Sequence, residues 1–196
     1  IELTRDGKDY VIVDTAGLRK KSKIEPGSIE RMSTLRALKA LAQCDVALLV
    51  IDGSEGLPSE QEAKIAGLAH ERGRGLIIIV NKWDLVEKDH TSVKKYTDAI
   101  RAVLKFGRYA PILFVSALTG RRCPSILETV EKVYTESTKR ITTSEVNKIF
   151  EKAFSRKPPP VHRGQPVKLY FATQSEVQPP TFVLFVSNPS RLNFSY

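Results

Sequence analysis

Cysteine, long apolar runs and acidic side chains are all scarce in this sequence of 196 residues. The two cysteines, Cys44 and Cys123, are too few for a disulfide framework, and neither has a histidine or second cysteine at metal-ligand spacing. No run reaches the roughly 18 apolar residues that a membrane-spanning helix needs. These absences argue against a disulfide-stapled secreted domain and against zinc or thiol chemistry. They predict a protein without a membrane span in a reducing, cytoplasmic compartment.

The shortage of acidic residues leaves a strongly basic chain. Asp and Glu number 22 against 31 Lys and Arg, which gives a formal net charge of +9. The excess is uneven, because residues 140–196 hold eight basic and three acidic side chains. A basic balance favours a polyanionic partner, and RNA is the first candidate.

Four short apolar runs have the character of strands buried on both faces of a parallel sheet. The runs and the polar residues that follow them are YVIV (10–13) before Asp14, VALLVI (46–51) before Asp52, LIIIV (76–80) before Asn81, and ILFV (112–115) before Ser116. Helical patterns lie between the runs. This alternation predicts an α/β domain with a mostly parallel sheet, helices on both faces and right-handed crossovers.

Capping signals indicate where helices begin. Ser59 and Glu62 form a capping box after Pro58, and Ser125 with Glu128 indicates a second capped start. Further helical patterns cover residues 28–41 and 96–104.

The pattern changes near residue 140, after a short linker at 138–142. A helix is expected to open at Ser144, and the prolines and glycine of residues 156–166 exclude helix there. Two strands are expected at 167–173 and 181–187, antiparallel or as distant neighbours because no parallel crossover separates them. These elements predict a small α+β module.

The aromatic residues of this module allow two interpretations. They could stack on bases while nearby cations contact phosphates, which would suit RNA. Alternate aromatics in strands are, however, more often part of a core. The residues in question are Tyr170, Phe171, Phe182 and Phe185.

A first candidate motif, Asp14-Thr15-Ala16-Gly17, directly follows the first apolar run. In open α/β sheets ligands bind at the carboxyl ends of strands. There Asp14 could hold Mg²⁺, directly or through water, and Gly17 could bring its backbone N–H close to a terminal phosphate. The alternative is an ordinary turn between a strand and a loop, because Asp-x-x-Gly occurs often by chance.

The motif Asn81-Lys82-Trp83-Asp84 follows the third run and is far more specific. A carboxylate at Asp84 can accept hydrogen bonds from the N1–H and the exocyclic amine of guanine, a donor pair that adenine lacks. Asn81 can tie neighbouring loops together, and the Lys82 stem can lie along the base plane. The motif therefore predicts selection of guanine, with Trp83 packed beside the base loop.

A third motif, Ser116-Ala117-Leu118, follows the fourth run. Small residues at this position let the backbone N–H of Ala117 reach guanine O6. Alone the motif is uninformative, but behind the other two it completes a base pocket.

These motifs, in this order and each at a strand end, resemble those of the translation-factor-type GTPases. The stretches VDTAGLRKKSKI, DVALLVIDGSEGLPSEQE, NKWDLVEKD and PPTFVLFVSNP further resemble the EngA/Der family, bacterial proteins with two tandem GTPase domains and a C-terminal KH-like domain. The resemblance implies a P-loop-NTPase-type fold, with part of the second GTPase domain at residues 1–139 and a C-terminally truncated KH-like domain at 140–196, since the family continues with a basic terminal segment.

The resemblance also implies function. It implies a protein that binds GTP or GDP, hydrolyses GTP with Mg²⁺ and acts as a switch in large-subunit ribosome assembly. Nucleotide-contacting positions would be residues 14–18, 81–84 and 116–118, with Mg²⁺ held by Asp14 through water. Implied partners are the large ribosomal subunit, its rRNA and a companion N-terminal GTPase domain, and K⁺ is a further candidate cofactor.

Three departures from the family pattern are visible. No Gly-x-x-x-x-Gly-Lys-Ser/Thr loop occurs, so we expect the chain to be a fragment; the alternative is a non-catalytic RNA- or protein-binding scaffold with a GTPase-like fold. Leu18 stands where Ras-like enzymes have a water-orienting Gln, which predicts slow intrinsic turnover. No Gly-x-x-Gly loop occurs in residues 140–196, which leaves a domain-docking role or a different RNA surface open.

Overall fold

The computed structural model describes residues 1–14, 38–87, 89–159 and 166–192. The chain forms two compact units, Ile1–Tyr134 and Thr135–Tyr196. No helix within the described ranges is long and apolar enough to cross a membrane.

The first two strands form an antiparallel hairpin. β1 (Glu2–Arg5) pairs with β2 (Lys8–Val11) across Asp6 and Gly7, which both have positive φ, at 53° and 73°. Positive φ at both turn residues matches the twist of hairpin strands, and Asp-Gly is a favoured pair for this turn. The expectation that residues 10–13 form a strand buried in the parallel sheet is therefore wrong.

The reason lies in the strand partners. Among the described residues β2 pairs with β1 alone and not with a strand of the parallel sheet, and Val11 is 72% exposed. The hairpin is held to the helix at 124–138 by polar contacts. Lys8 and Tyr10 both bind the carboxylate of Glu131, and an Arg5 guanidinium nitrogen donates to the Pro124 carbonyl at 3.4 Å.

A three-stranded parallel sheet forms the centre of the first unit. Its strands are β3 (Val46–Asp52), β4 (Gly75–Asn81) and β5 (Ile112–Phe114), in that spatial order. These strands confirm three of the four predicted apolar runs. All residues of β4 from 75 to 80 are buried, as expected for a central strand covered on both sides.

Helices pack against both faces of β4, as the alternation predicted, whereas Leu48 and Val50 of β3 are exposed. One face of β4 (Leu76, Ile78, Val80) packs in a cluster with Ala66 and Ala69 and with Ile100 and Leu104. The opposite face (Ile77, Ile79) packs with Val115 and with residues of the last helix of the unit, Ile126, Val130 and Val133. The core is thus two apolar layers separated by β4.

The helices begin where local chemistry satisfies their free N–H groups. Residues 38–43 are helical (α1), and the rest of the pattern predicted at 28–41 lies outside the described residues. α2 (Glu60–Glu71) has the predicted Ser59–Glu62 capping box. α3 (Ser92–Val103) contains most of the helical pattern predicted at 96–104, and a 3-10 turn at Lys105–Gly107 follows it. α4 (Pro124–Thr138) begins with a proline, so Ser125 lies inside the helix and is not its cap.

The second unit contains one helix and an antiparallel strand pair. α5 (Thr143–Arg156) starts from a capping box of Thr142 and Glu145, two residues before the predicted opening at Ser144. β6 (Leu169–Glu176) pairs antiparallel with β7 (Thr181–Val186), which confirms the predicted strands, and a 3-10 turn follows at Pro189–Arg191.

In this unit one of the four aromatic residues packs against α5, and the other three are exposed. Ala172 is buried against α5, where Asn147 exchanges two hydrogen bonds of 2.8 Å with its backbone, and Phe182 packs edge-on against Phe150. Tyr170 is 70% exposed and Phe171 and Phe185 are also exposed. The core interpretation is therefore wrong for these three aromatics; Phe171 and Phe185 pack against each other, with ring centres 5.7 Å apart, and both stay exposed.

Candidate functional site at the carboxyl ends of the sheet

The carboxyl ends of β3, β4 and β5 bring three polar segments to one edge of the sheet. Asp52 ends β3 directly beside Asn81, the last residue of β4, and Val80 pairs with Phe114 at the end of β5. In open α/β sheets this edge is where ligands bind. Two predicted motifs, at 81–84 and 116–118, therefore begin at adjacent strand ends.

Three successive hydrogen bonds join these two motifs. The Val115 N–H donates to the Val80 carbonyl at 2.9 Å, and the Trp83 N–H donates to the Val115 carbonyl at 3.0 Å. The Ala117 N–H donates to Oδ1 of Asn81, also at 3.0 Å. The Asn81 carboxamide thus ties the neighbouring loops together, the role that the sequence predicted for it.

Trp83 anchors the 81–84 loop in the core. Its ring is 8% exposed and lies edge-on to Tyr96, with ring centres 5.0 Å apart, and 4.5 Å from the ring centre of Phe114. Tyr96 also donates a hydrogen bond of 3.2 Å to the Gly53 carbonyl, which links the β3 end to the same aromatic cluster. Trp83 fixes the loop by packing its ring inward, while its neighbours on either side are more exposed.

Lys82 and Asp84 stand on the solvent side of this loop. Lys82 has a left-handed backbone, with φ at 57°, and its carbonyl accepts the Leu85 N–H at 3.0 Å to close a tight turn. Asp84 is exposed at this turn. The turn directs two charged side chains away from the core that Trp83 occupies.

The Lys82 ammonium forms an ion pair with Asp52. Hydrogen bonds from Lys82 and then from Ser54 lower the pKa of the Asp52 carboxyl from 3.8 to about 2, and the same pairing with Asp52 raises the pKa of Lys82. Both groups are therefore charged at neutral pH. Sequence analysis did not single out Asp52 as a site residue, although its place at a strand end was the available signal.

The loop that follows Asp52 is bound closely to the end of β4. The Gly53 N–H donates to the Asn81 carbonyl at 2.8 Å. A Cβ on Gly53 would lie 2.9 Å from that same oxygen and 3.0 Å from a methyl carbon of Val80. Only glycine fits this approach without movement of its neighbours.

The 116–118 segment opens a second tight loop. Ser116 is buried and forms an isolated antiparallel β-bridge with Arg121. Its Oγ accepts the Thr119 N–H at 3.2 Å, and Gly120 supplies the positive φ of 72° that the turn needs. Leu118 is 88% exposed at the outside of the loop. The three predicted residues thus have distinct surroundings: a buried support, a backbone donor and an exposed side chain.

The first motif is described only in part. Asp14 is exposed and follows the β1–β2 hairpin, while Thr15, Ala16, Gly17 and Leu18 lie outside the described residues. Within the described ranges no group of three or more His, Cys, Asp or Glu residues could hold a metal. An exposed carboxylate at Asp14 is compatible with Mg²⁺, which retains several waters and takes one or two carboxylates together with substrate phosphates.

This arrangement can recognise a planar, polar ligand at its edge. Asp84 offers carboxylate acceptors, the Ala117 backbone and Asn81 offer donors, and the Lys82 stem offers an apolar surface below its charged tip. The groups come from loops fixed to a rigid sheet, so their spacing is set before a ligand arrives.

Comparisons with known proteins agree with this fold. The model of the elongation factor Tu GTP-binding domain matches residues 26–136. The model of the KH-domain-like C-terminal region of EngA bacterial GTPase enzymes matches residues 140–196. The chain is also similar in fold to the crystal structure of a probable GTP-binding protein EngB, with a TM-score of 0.52, 18% identity, and 69% of this chain and 83% of that one covered.

Curated relatives are much closer in sequence. GTPase Der of Caldanaerobacter subterraneus subsp. tengcongensis is 54% identical over 193 residues, and GTPase Der of a Thermoanaerobacter strain (X514) is 51% identical over the same length. These alignments cover 98% of this chain but only 44% of each relative. The chain therefore spans less than half the length of the relatives that it matches.

The match over more than half of the chain defines a GTP-binding α/β domain of the elongation factor Tu type. Together with the KH-like match and the identity to the Der proteins, it shows that the chain belongs to the EngA/Der family of GTPases. The predicted resemblance and the predicted fold class are confirmed.

Proposed function

We propose that this chain carries the guanine-recognition part of a protein that hydrolyses GTP to GDP. Asn81, Lys82 and Asp84 form one side of the base site, and Ser116 to Leu118 form the other. The observation that carries the proposal is the bond from the Ala117 N–H to the Asn81 carboxamide, because it joins the two predicted motifs at adjacent strand ends.

The chemistry of base selection follows from donor and acceptor types. The Asp84 carboxylate accepts from the N1–H and the exocyclic amine of guanine, and adenine cannot satisfy it. The Ala117 N–H donates to guanine O6, either sharing its bond with Asn81 or exchanging one acceptor for the other. The Lys82 stem covers one face of the base.

A single substitution at Asp84 tests this assignment in the product of the complete natural coding sequence. Asp84→Asn removes a charged acceptor from two hydrogen bonds, so GDP affinity should fall by about 100-fold or more. Affinity for xanthosine diphosphate should rise, because xanthine carries an oxygen where guanine carries the amine. Asp98→Asn, at an exposed position of α3, is the matched control and should change neither affinity.

Two results would contradict the proposal. One is unchanged GDP affinity without any gain for the xanthine nucleotide in the Asp84→Asn variant. The other is no guanine-nucleotide binding by the complete wild-type protein, which would favour the scaffold alternative, a non-catalytic RNA- or protein-binding protein.

The phosphate side of the reaction is assigned through the first motif. We propose that Asp14 holds Mg²⁺ through water and that Thr15 to Gly17 line the γ-phosphate. The ion would neutralise phosphate charge when bound. The side chain of Leu18 has no polar atom with which to orient water, so intrinsic GTP hydrolysis should be slow. A cation such as K⁺ or a partner would then assist hydrolysis.

A role in assembly of the large ribosomal subunit completes the proposal. It is supported by family membership, by the net charge of +9 and by the KH-like match over the more basic region. Partners would be rRNA and a companion GTPase domain, in the cytoplasm. Cosedimentation with large-subunit particles should depend on whether GTP or GDP is bound; nucleotide-independent or absent binding would contradict this role.

A further inference from the structure

Asp52 uses its two carboxylate oxygens for two different contacts. Oδ1 accepts the Ser54 N–H at 2.9 Å and the Ser54 hydroxyl at 2.6 Å, while Oδ2 forms the ion pair with the Lys82 ammonium. The carboxylate is therefore fixed in orientation by its own loop and directed at Lys82. Side-chain exposure is 20% for Asp52 and 53% for Lys82, so the anchor is the more buried partner.

Lys82 needs such an anchor for two reasons. Its left-handed backbone is unfavourable for a residue with a side chain, so surrounding contacts must hold it. A free lysine stem also samples many rotamers, and a ligand that packs against it must pay for ordering it. An ion pair at the tip reduces that freedom before a ligand binds.

The loop around Asp52 is built to keep the carboxylate in place. Asp52 lies in register with Asn81, and the Gly53 N–H binds the Asn81 carbonyl at 2.8 Å. The close approach at Gly53 leaves no room for a Cβ, so the β3 end cannot shift toward β4. Asp52 and the 81–84 loop are thus held as one rigid unit.

We propose that Asp52 is a positioning residue of the guanine site. It anchors the Lys82 ammonium, so that the lysine stem is already placed to pack against one face of the base before the nucleotide binds. This inference rests on the proposed function, because Lys82 covers the base only if the site binds guanine nucleotides. Asp52 itself touches no ligand; it acts through Lys82. Its contribution is preorganisation, which appears as tighter binding and slower nucleotide release.

The test is a double-mutant cycle in the complete protein, with GDP affinity and GDP release rate as readouts. Asp52→Asn keeps the size of the side chain and removes its charge. In the Asp52→Asn variant the Lys82 side chain must be ordered when GDP binds, and ordering one long side chain costs about a two- to tenfold loss of affinity. We therefore expect GDP to bind about two- to tenfold more weakly to this variant. In a Lys82→Met background, Asp52→Asn should have no further effect on GDP binding, because the anchored group is gone.

Two controls separate positioning from general stability. Asp45→Asn, an exposed position next to the opposite end of the same strand, should leave GDP binding unchanged. The thermal midpoint of the nucleotide-free Asp52→Asn protein should remain within a few degrees of wild type, so that its weaker binding is not explained by unfolding.

Each contrary result has a defined meaning. Unchanged or tighter GDP binding by Asp52→Asn, or an equal loss in the Lys82→Met background, would overturn the positioning role. If Asp84→Asn still shifts preference from guanine to xanthine in the same experiments, the proposed function stands without this inference. If the wild-type protein binds no GDP, both are wrong.

Discussion

Two strand ends that look alike in the sequence have very different surroundings in the structure. YVIV before Asp14 and LIIIV before Asn81 are both short apolar runs that end at a polar residue. In the second run Val80 is fully buried, whereas in the first Val11 is 72% exposed. The difference lies in the neighbours: β4 has a parallel partner on each side, and β2 has only β1 within the described chain.

The comparison shows what makes a strand end a rigid platform. The loop after β4 is held by register with β3, by backbone bonds to Val115 and by the packed ring of Trp83. The hairpin that precedes Asp14 is held to α4 mainly by charged and polar contacts with Glu131. The proposed base site is therefore built on the core of the sheet, whereas the segment leading to the proposed phosphate motif is attached to its surface.

The largest expected contrast is in stability. Ile78→Ala would empty space in the centre of β4 and should lower the free energy of unfolding by about 2–5 kcal/mol. Val11→Ala in the hairpin should change it by no more than about 0.5 kcal/mol. Urea denaturation of both variants measures the contrast, and equal losses would contradict the difference in burial.

Glycine substitutions should show a smaller contrast. A methyl group at Gly53 meets the Asn81 carbonyl and Val80, so Gly53→Ala should cost about 1–3 kcal/mol and weaken GDP binding with it. Gly7→Ala meets no atom within 4 Å and carries only the penalty of its positive φ, about 1–2 kcal/mol. GDP binding that survives Gly53→Ala unchanged would contradict the close coupling of β3 to the base loop.

Removing the link between the two base loops should have a moderate effect. Asn81→Ala leaves the Ala117 N–H without its acceptor and should cost about 1–2 kcal/mol of stability. The chemical shift of the Ala117 amide, followed by NMR, should move more than that of any hairpin amide. An unperturbed Ala117 signal would show that Asn81 does not hold the second loop.

The smallest effect concerns acid sensitivity of the hairpin. Hydrogen bonds from Lys8 and then Tyr10 lower the pKa of Glu131. A carboxyl whose pKa is lower in the folded state stabilises the protein above its ordinary pKa, here 4.5, and loses this contribution as the pH falls through the lowered value. The protection factors of the amides in residues 2–11, which compare the observed exchange with the intrinsic rate at each pH, should therefore fall on acidification. Glu131→Gln should abolish that pH dependence.

The sequence alone predicted the features that depend on short-range pattern. The runs at 46–51, 76–80 and 112–115 form the parallel sheet, and the Ser59–Glu62 capping box is confirmed, because short apolar runs and helix caps are visible in the residue order. Burial on both faces is confirmed for β4 but not for β3, where Leu48 and Val50 are exposed. The same logic failed at residues 10–13, since apolar character does not tell which partner a strand will find. It also failed for Ser125, because Pro124 already opens the helix.

The site was predictable where a motif of several residues follows a strand. Asn81 and Ala117 were expected to lie at neighbouring loops, and they bond directly. Asp52 was not predicted, because a single Asp after a strand is common and its contacts with Lys82 and Ser54 depend on strand register. The inward packing of the Trp83 ring likewise depends on Tyr96 and Phe114, which are distant in sequence.

The most direct test of the base-recognition site is the ratio of GDP to inosine diphosphate affinity in the complete protein. Inosine differs from guanosine only by the missing exocyclic amine, so the ratio isolates the contact assigned to Asp84. We predict that GDP binds about 10- to 150-fold more tightly, the value of one hydrogen bond to a charged group. Equal affinities for the two nucleotides would contradict the assignment of Asp84 and of the pocket built around it.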